Sequence, residues 1–183
     1  MAAQRPLQYN VYQNGTSSTN TLAQSLINIR QKNLDENVIT YLEGSGHKLE
    51  YVKTINGVDF INDSCSQTAN AVWYALDSMT KRVTWIMSMD KVETLSDDLL
   101  DIIEEKVGTI VLHGVYNTAI MEFFTELGKQ VLFSMNMEEA VRTAFYNTNP
   151  GGVVLFSPGV ACHGDYPSYR ERGDKFKEAI AQL

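Results

Sequence analysis

Two stretches of this chain concentrate side chains able to do chemistry. The first, Asn62-Asp63-Ser64-Cys65-Ser66-Gln67-Thr68, sets a carboxylate, a thiol, hydroxyls and an amide on one short polar loop. The second runs from Ser157 to Ser168 and holds Cys162, His163 and Asp165. Thiolate and imidazole are ligand types that suit zinc, and a thiolate beside an imidazole is a nucleophile with its base. Plainer roles are the expected ones. Cys162 reads as a small hydrophobe, Cys65 as an exposed loop thiol, His47 as a packed or hydrogen-bonded residue at a strand start, and His113 as a surface residue. Asn62-Asp63-Ser64 also reads as an ordinary turn and helix cap.

These loops need elements to hold them. Val58, Phe60 and Ile61 form a strand that Asn62, Asp63 and Ser64 stop, and Ala69, Val72, Trp73 and Leu76 then fall at helical spacing. Upstream, Leu49 to Ile55 alternates as a strand, and Asn56-Gly57 joins it to the next strand as an antiparallel hairpin. Downstream the rhythm repeats. Strands at 83–87, 108–112, 130–133 and 152–156 alternate with helices at 95–106, 118–127, 136–145 and 169–183. The pattern predicts a three-layer α/β fold, a mostly parallel sheet covered on both faces, with ligands beyond the carboxyl ends of the strands. The loops to watch are therefore 62–68, 87–94, 112–117 and 157–168. Tyr51, Trp73, Tyr74 and Trp85 are expected in the core, and Asp97, Asp98, Asp101, Glu104 and Glu105 on a solvated helix face. Ahead of the sheet, residues 1–18 read as a polar arm, and helices are expected from Thr19 and over Leu34 to Leu42. One α/β domain over 19–183 follows.

Composition excludes several function classes. A net charge of −7 with no basic cluster argues against a nucleic-acid or anionic-membrane surface. There is no 18-residue apolar run and no signal-peptide pattern, so a cytoplasmic location is expected. Two cysteines are too few for a disulfide framework.

Several stretches together resemble the C-terminal domain of the Mur ligases, closest to the enzymes that add D-glutamate to UDP-N-acetylmuramoyl-L-alanine. They are Gly46-His47-Lys48-Leu49-Glu50, Thr54 to Ser64, Trp73-Tyr74-Ala75-Leu76, Asp90-Lys91, and Leu155-Phe156-Ser157-Pro158 through to Tyr169-Arg170-Glu171-Arg172-Gly173-Asp174-Lys175-Phe176-Lys177. The resemblance implies a Rossmann-like fold, nucleotide contacts from His47, Lys48 and Asp63, and amino-acid contacts from Lys91, Gln67, Cys162 and Tyr169. It also places loops 62–68 and 157–168 side by side, so that Cys65, Cys162, His163 and Asp165 could converge on a metal or form a reactive thiol. Five departures fall on working positions. Lys48 stands where the family has arginine, Cys65 where it has lysine, Gln67 where it has threonine, Cys162 where it has serine, and Ser88-Met89 where it has two glycines.

No Gly-x-x-x-x-Gly-Lys-Ser/Thr loop is present to cradle ATP phosphates. The chain alone is therefore expected to bind no cofactor and to ligate nothing, with ATP and magnesium entering only beside a ligase central domain. The reading that follows is a stand-alone, degenerate Mur-ligase C-terminal-like domain, a non-catalytic binding or interaction module, and the polar arm is taken to favour a chain that stands alone. The alternative is the D-glutamate-binding portion of a divergent peptidoglycan-precursor ligase, active only with an ATP-binding domain in cis or trans. Expected partners are a small carboxylate or a nucleotide, or a protein carrying the missing ligase domains.

Overall fold

The structure, a computed structural model, describes residues 46–114, 116–162 and 166–183. The polar arm and the two helices expected before Gly46 lie outside the described residues, as do His163 and Asp165.

The chain enters the sheet through β1 (Glu50–Ile55) and turns back into β2 (Val58–Asn62). Asn56 and Gly57 both take positive φ, 49° and 80°. Two left-handed residues in succession make the tight turn whose twist matches an antiparallel hairpin, and Ile55 pairs with Val58 across it. From β2 onward each strand is followed by a helix: α1 (Ala69–Asp77), β3 (Val83–Met87), α2 (Asp97–Lys106), β4 (Val107–His113), α3 (Thr118–Glu126), β5 (Gln130–Ser134), α4 (Met137–Tyr146), β6 (Val153–Phe156) and α5 (Tyr169–Ala181). A short 3-10 turn, Val92–Thr94, sits between β3 and α2. The strand order is β1-β2-β6-β3-β4-β5, and only β1 runs antiparallel. This is the expected mostly parallel sheet with one hairpin.

Strand alternation sorts the core into two faces. Ile61, Trp85, Met87, Ile110, Leu112 and Leu155 point toward α1, α2 and α3, where Leu76, Leu99, Ile103 and Phe124 meet them. Val58, Phe60, Ile86, Val111, Val154 and Phe156 point the other way, onto Val141 of α4 and Phe176 and Ile180 of α5. Burial of both faces explains why the central strands are apolar along their whole length. Thr68, Ser96, Asn117, Asn136 and Ser168 cap the five helices, each accepting a backbone N–H with its side chain.

Four placements differ from expectation, the first being Tyr51, which is half-buried against the edge of the core. Tyr74 is 50% exposed, because α1 buries the stripe Val72, Ala75, Leu76 and leaves Tyr74 on the opposite side. Trp73 is only half-buried, its indole N–H donating to the Asp98 carbonyl. His113 is buried, not on the surface, since the end of β4 is covered by the loop after β6. Trp85 is fully buried as expected, and the acidic face of α2 is exposed.

β6 lies between β2 and β3, so the crossover that reaches it returns over the sheet and opens a switch point at the carboxyl edge. α5 then descends beside β2 at very close range. A Cβ on Gly173 would run into His47 Nδ1, Ser64 Oγ and Asn62 Nδ2. Glycine in a helix interior forgoes about 1 kcal/mol against alanine, so the close approach is what makes this residue necessary. Gly173→Ala is expected to lower stability by about 1–3 kcal/mol through overpacking, outweighing alanine's helix preference. Urea unfolding checks this, and a midpoint that rises would contradict the packing argument.

Candidate functional site at the carboxyl edge of the sheet

The ends of β2, β6 and β3 are tied into one unit by their own backbone. Asp63 N–H donates to the Phe156 carbonyl at 2.8 Å, Ser157 N–H to Ile86 at 3.2 Å, Ser88 N–H to Pro158 at 3.0 Å and Gly159 N–H to Ser66 at 3.0 Å. Gly159 has φ 74°, and a Cβ there would strike Met89, so glycine is required for the loops to close on each other.

Asp63 stands at the centre. It is 2% exposed, and its carboxylate accepts from Leu49 N–H at 3.2 Å, from the Ser157 hydroxyl at 2.8 Å, from the Ser66 hydroxyl and from the Cys65 thiol at 3.7 Å. Burial pushes its pKa up from 3.8 to about 6, against the opposing pull of those donors. The carboxylate is thus committed to holding loops together, and a ribose hydroxyl would have to displace a protein donor to reach it. Nor is it the helix cap, since Thr68 caps α1.

Arg172 is the second buried charge. It is 3% exposed, and its guanidinium donates to the Ser64 carbonyl at 2.8 Å and to the Val160 carbonyl at 3.2 Å. Its Nε has no hydrogen-bond partner, and among the described residues it makes no ion pair. Burial lowers its pKa, while Cys162, Tyr166 and Cys65 lie close enough to oppose that.

A third group surrounds Asn62. Its amide donates to His47 Nδ1 at 3.1 Å and to Glu50 Oε2 at 3.0 Å, while His47 Nε2 lies 3.7 Å from Asp174. Lys177 joins Glu50 and Asp174, at 3.5 and 3.0 Å. His47 is therefore packed and bonded at the strand start as expected, its ring edge-on to Tyr169 at 6.2 Å. The Ser64 hydroxyl donates to the Tyr169 carbonyl, which fastens the first turn of α5 to the loop after β2. Across the edge, Ser88 Oγ lies 3.2 Å from His113 Nδ1, and Tyr166 OH 3.3 Å from His113 Nε2.

The sequence-predicted residues divide accordingly. Asp63, Cys65, His47 and Tyr169 come together at the carboxyl edge of the sheet, with Cys162 near Arg172. Gln67 lies exposed on the rim and Lys48 is half-buried beside Cys65. Lys91 is exposed in the loop after β3, where its carbonyl accepts from Thr94. Cys65 is half-buried rather than exposed, and burial, then the Asp63 charge, push its thiol up to about 12. A thiol held protonated is a poor nucleophile and a poor zinc ligand. Among the described residues no cluster of three His, Cys, Asp or Glu is set for a metal, and no helix is long and apolar enough to cross a membrane.

Sequence reasoning missed Ser66 and Ser157 as partners of Asp63, and the roles of Asn62, His113 and Arg172. One signal was available. Gly173 inside an otherwise helical run breaks helix preference without ending the helix, which marks a close backbone approach.

A three-layer sheet of this order, with its polar loops gathered at the carboxyl edge, is the Rossmann-like architecture of Mur ligase C-terminal domains. UDP-N-acetylmuramate-alanine ligase from Thermotoga maritima superposes with a TM-score of 0.50 at 14% identity, covering 74% of this chain and 30% of that one. A murein peptide ligase from Psychrobacter arcticus also gives 0.50, at 8% identity, covering 77% and 31%. In sequence the chain is 35% identical over 163 residues to a UDP-N-acetylmuramoylalanine-D-glutamate ligase from Christiangramia forsetii, which is 89% of this chain and 36% of the relative. It is 33% identical over 176 residues to the same-named enzyme of Chloroherpeton thalassium, 96% of this chain and 36% of that one. No protein-family model matches. The chain resembles a Mur ligase C-terminal domain, with its sequence similarity to the D-glutamate-adding enzymes, and it spans little more than a third of the length of those relatives.

Two outcomes are expected from the buried groups. An acid whose pKa is higher folded than unfolded binds its proton more tightly when folded. Asp63 therefore adds stability below pH 3.8, and that stability is lost as pH rises through about 6. Comparing urea unfolding at pH 7 and pH 5, wild type should gain about 1 kcal/mol relative to Asp63→Asn. Equal pH responses in the two proteins would remove the raised pKa. For Cys65, iodoacetamide at pH 8 should alkylate the folded thiol at least roughly tenfold more slowly than the unfolded one, as peptide mass spectrometry reads; equal rates would show an open thiol.

Proposed function

We propose that this chain is the D-glutamate-binding portion of a peptidoglycan-precursor ligase, working with an ATP-binding domain in the same chain or a partner. The observation that carries the reading is that the edge where the departures fall is still built. Cys65, Gln67 and Cys162 have changed, yet the loops that bear them remain joined through Asp63, Ser157, Gly159 and Arg172. A site relieved of its function has no reason to keep two buried charges, each costly to desolvate. Identity of 32–35% to D-glutamate-adding ligases over most of the chain favours this reading over a non-catalytic module.

In such a ligase ATP and magnesium supply the activated acyl phosphate, and the amino group of the incoming amino acid attacks it. This chain's task is to present that amine by holding the carboxylates at the other end of the molecule. Lys91 suits one carboxylate, being exposed and positively charged on the loop beyond β3. Gln67 offers an amide donor and Tyr169 a half-buried ring at the first turn of α5. Lys48 provides a point charge for a nucleotide phosphate, with His47 supporting the strand that carries it.

Titrating the ¹⁵N-labelled chain with D-glutamate tests the proposal. Amide shifts should move at Gln67, Cys162 and Tyr169 and show saturation, with L-glutamate weaker. Lys91→Ala should weaken binding roughly tenfold or more, the scale of one lost charged contact. Unmoved spectra at tens of millimolar D-glutamate would sink the reading.

A further inference from the structure

Resting on that reading, we propose that Arg172 is the positioning residue that makes the crevice selective for a carboxylate. It would do so by clamping the two site loops with a buried positive charge that no carboxylate among the described residues neutralises.

The geometry has three parts. Arg172 is 3% exposed, yet every hydrogen bond its guanidinium makes goes to a neutral backbone carbonyl, Ser64 on one loop and Val160 on the other. Its Nε is buried with no acceptor at all. The nearest buried acid in sequence to that loop, Asp63, spends its oxygens on Leu49, Ser66, Ser157 and Cys65 and forms no ion pair with it. Buried arginines are ordinarily matched by a carboxylate, because an isolated charge out of water is costly. Here the cost is borne without that relief.

The surroundings decide what the charge is for. Among the described residues Cys162, Tyr166 and Cys65 lie close enough to feel it, and all three sit on the loops where the amino acid is proposed to bind. Arg172 also belongs to the first turns of α5, where the free N–H groups of the helix start add partial positive charge. Gly173 lets this turn press against Asn62 and Ser64, so the guanidinium is fixed rather than free to swing out. Out of water, a fixed cation favours an anion over a neutral isostere of the same shape. The ligand it selects is a small carboxylate, held at the rim by other groups and discriminated by this one.

Binding of D-glutamate and of its neutral side-chain amide, D-glutamine, separates this role from scaffolding. The full chain is titrated by NMR as wild type, Arg172→Lys and Arg172→Met, with folding checked by amide dispersion. Wild type should prefer D-glutamate at least tenfold. Arg172→Met, which fills the space without the charge, should bring the two affinities to within about twofold. Arg172→Lys keeps the charge but not the double clamp, and should retain part of the preference with weaker overall binding. If Arg172→Met does not fold, the Arg172→Lys variant carries the test: a lysine variant with full wild-type affinity and preference overturns it. Undiminished preference in Arg172→Met overturns it as well, while leaving the D-glutamate reading intact. Absence of any wild-type binding overturns both.

Discussion

The carboxylate of Asp63 is the point on which the working edge of this domain closes. A charge with 2% exposure survives in a protein only when donors replace the water it has lost, and here they come from the start of β1, its own loop and the end of β6. Each donor is thereby drawn to one place. The loop after β2 cannot move without the loop after β6, and neither can move without the strand that leads in. The raised pKa is the residue of a desolvation that the donors offset only in part.

α5 is locked onto this centre from the other side. Ser64 holds its first turn, Gly173 lets the helix backbone come close, and Arg172 reaches past to grip a carbonyl on each loop. Carboxylate and guanidinium thus stand in the same edge without neutralising each other, both employed in fixing backbone. Fixed backbone is what a binding site needs, since a ligand then meets groups that need no ordering. Gln67 is exposed and Cys65 and Cys162 are half-buried, while the bonds that shape the loops run largely through other residues.

Much of the architecture was legible in the residues because it depends on local pattern. Runs such as Val83 to Met87 and Val153 to Phe156 are apolar throughout, which only a sheet covered on both faces permits. Asn56-Gly57 foretold the hairpin because few other pairs accept two left-handed residues in succession. The misplacements were of a different kind. Tyr74 and His113 were misjudged because their burial depends on which side of α1 meets the sheet and on a distant loop covering the end of β4.

The sequence by itself determined the element order and the parallel sheet with its single hairpin, which follow from spacing and turn chemistry, and its residue runs carried the likeness to the Mur ligases. Only the tertiary structure decided what the polar residues at the carboxyl edge do. Asp63 became a loop lock, Cys65 a half-buried thiol beside its carboxylate and Arg172 a buried clamp because their behaviour is set by desolvation and by partners as many as 108 residues away in the chain. Burial and long-range pairing leave no periodicity in a sequence, and so they are read only once the chain has folded.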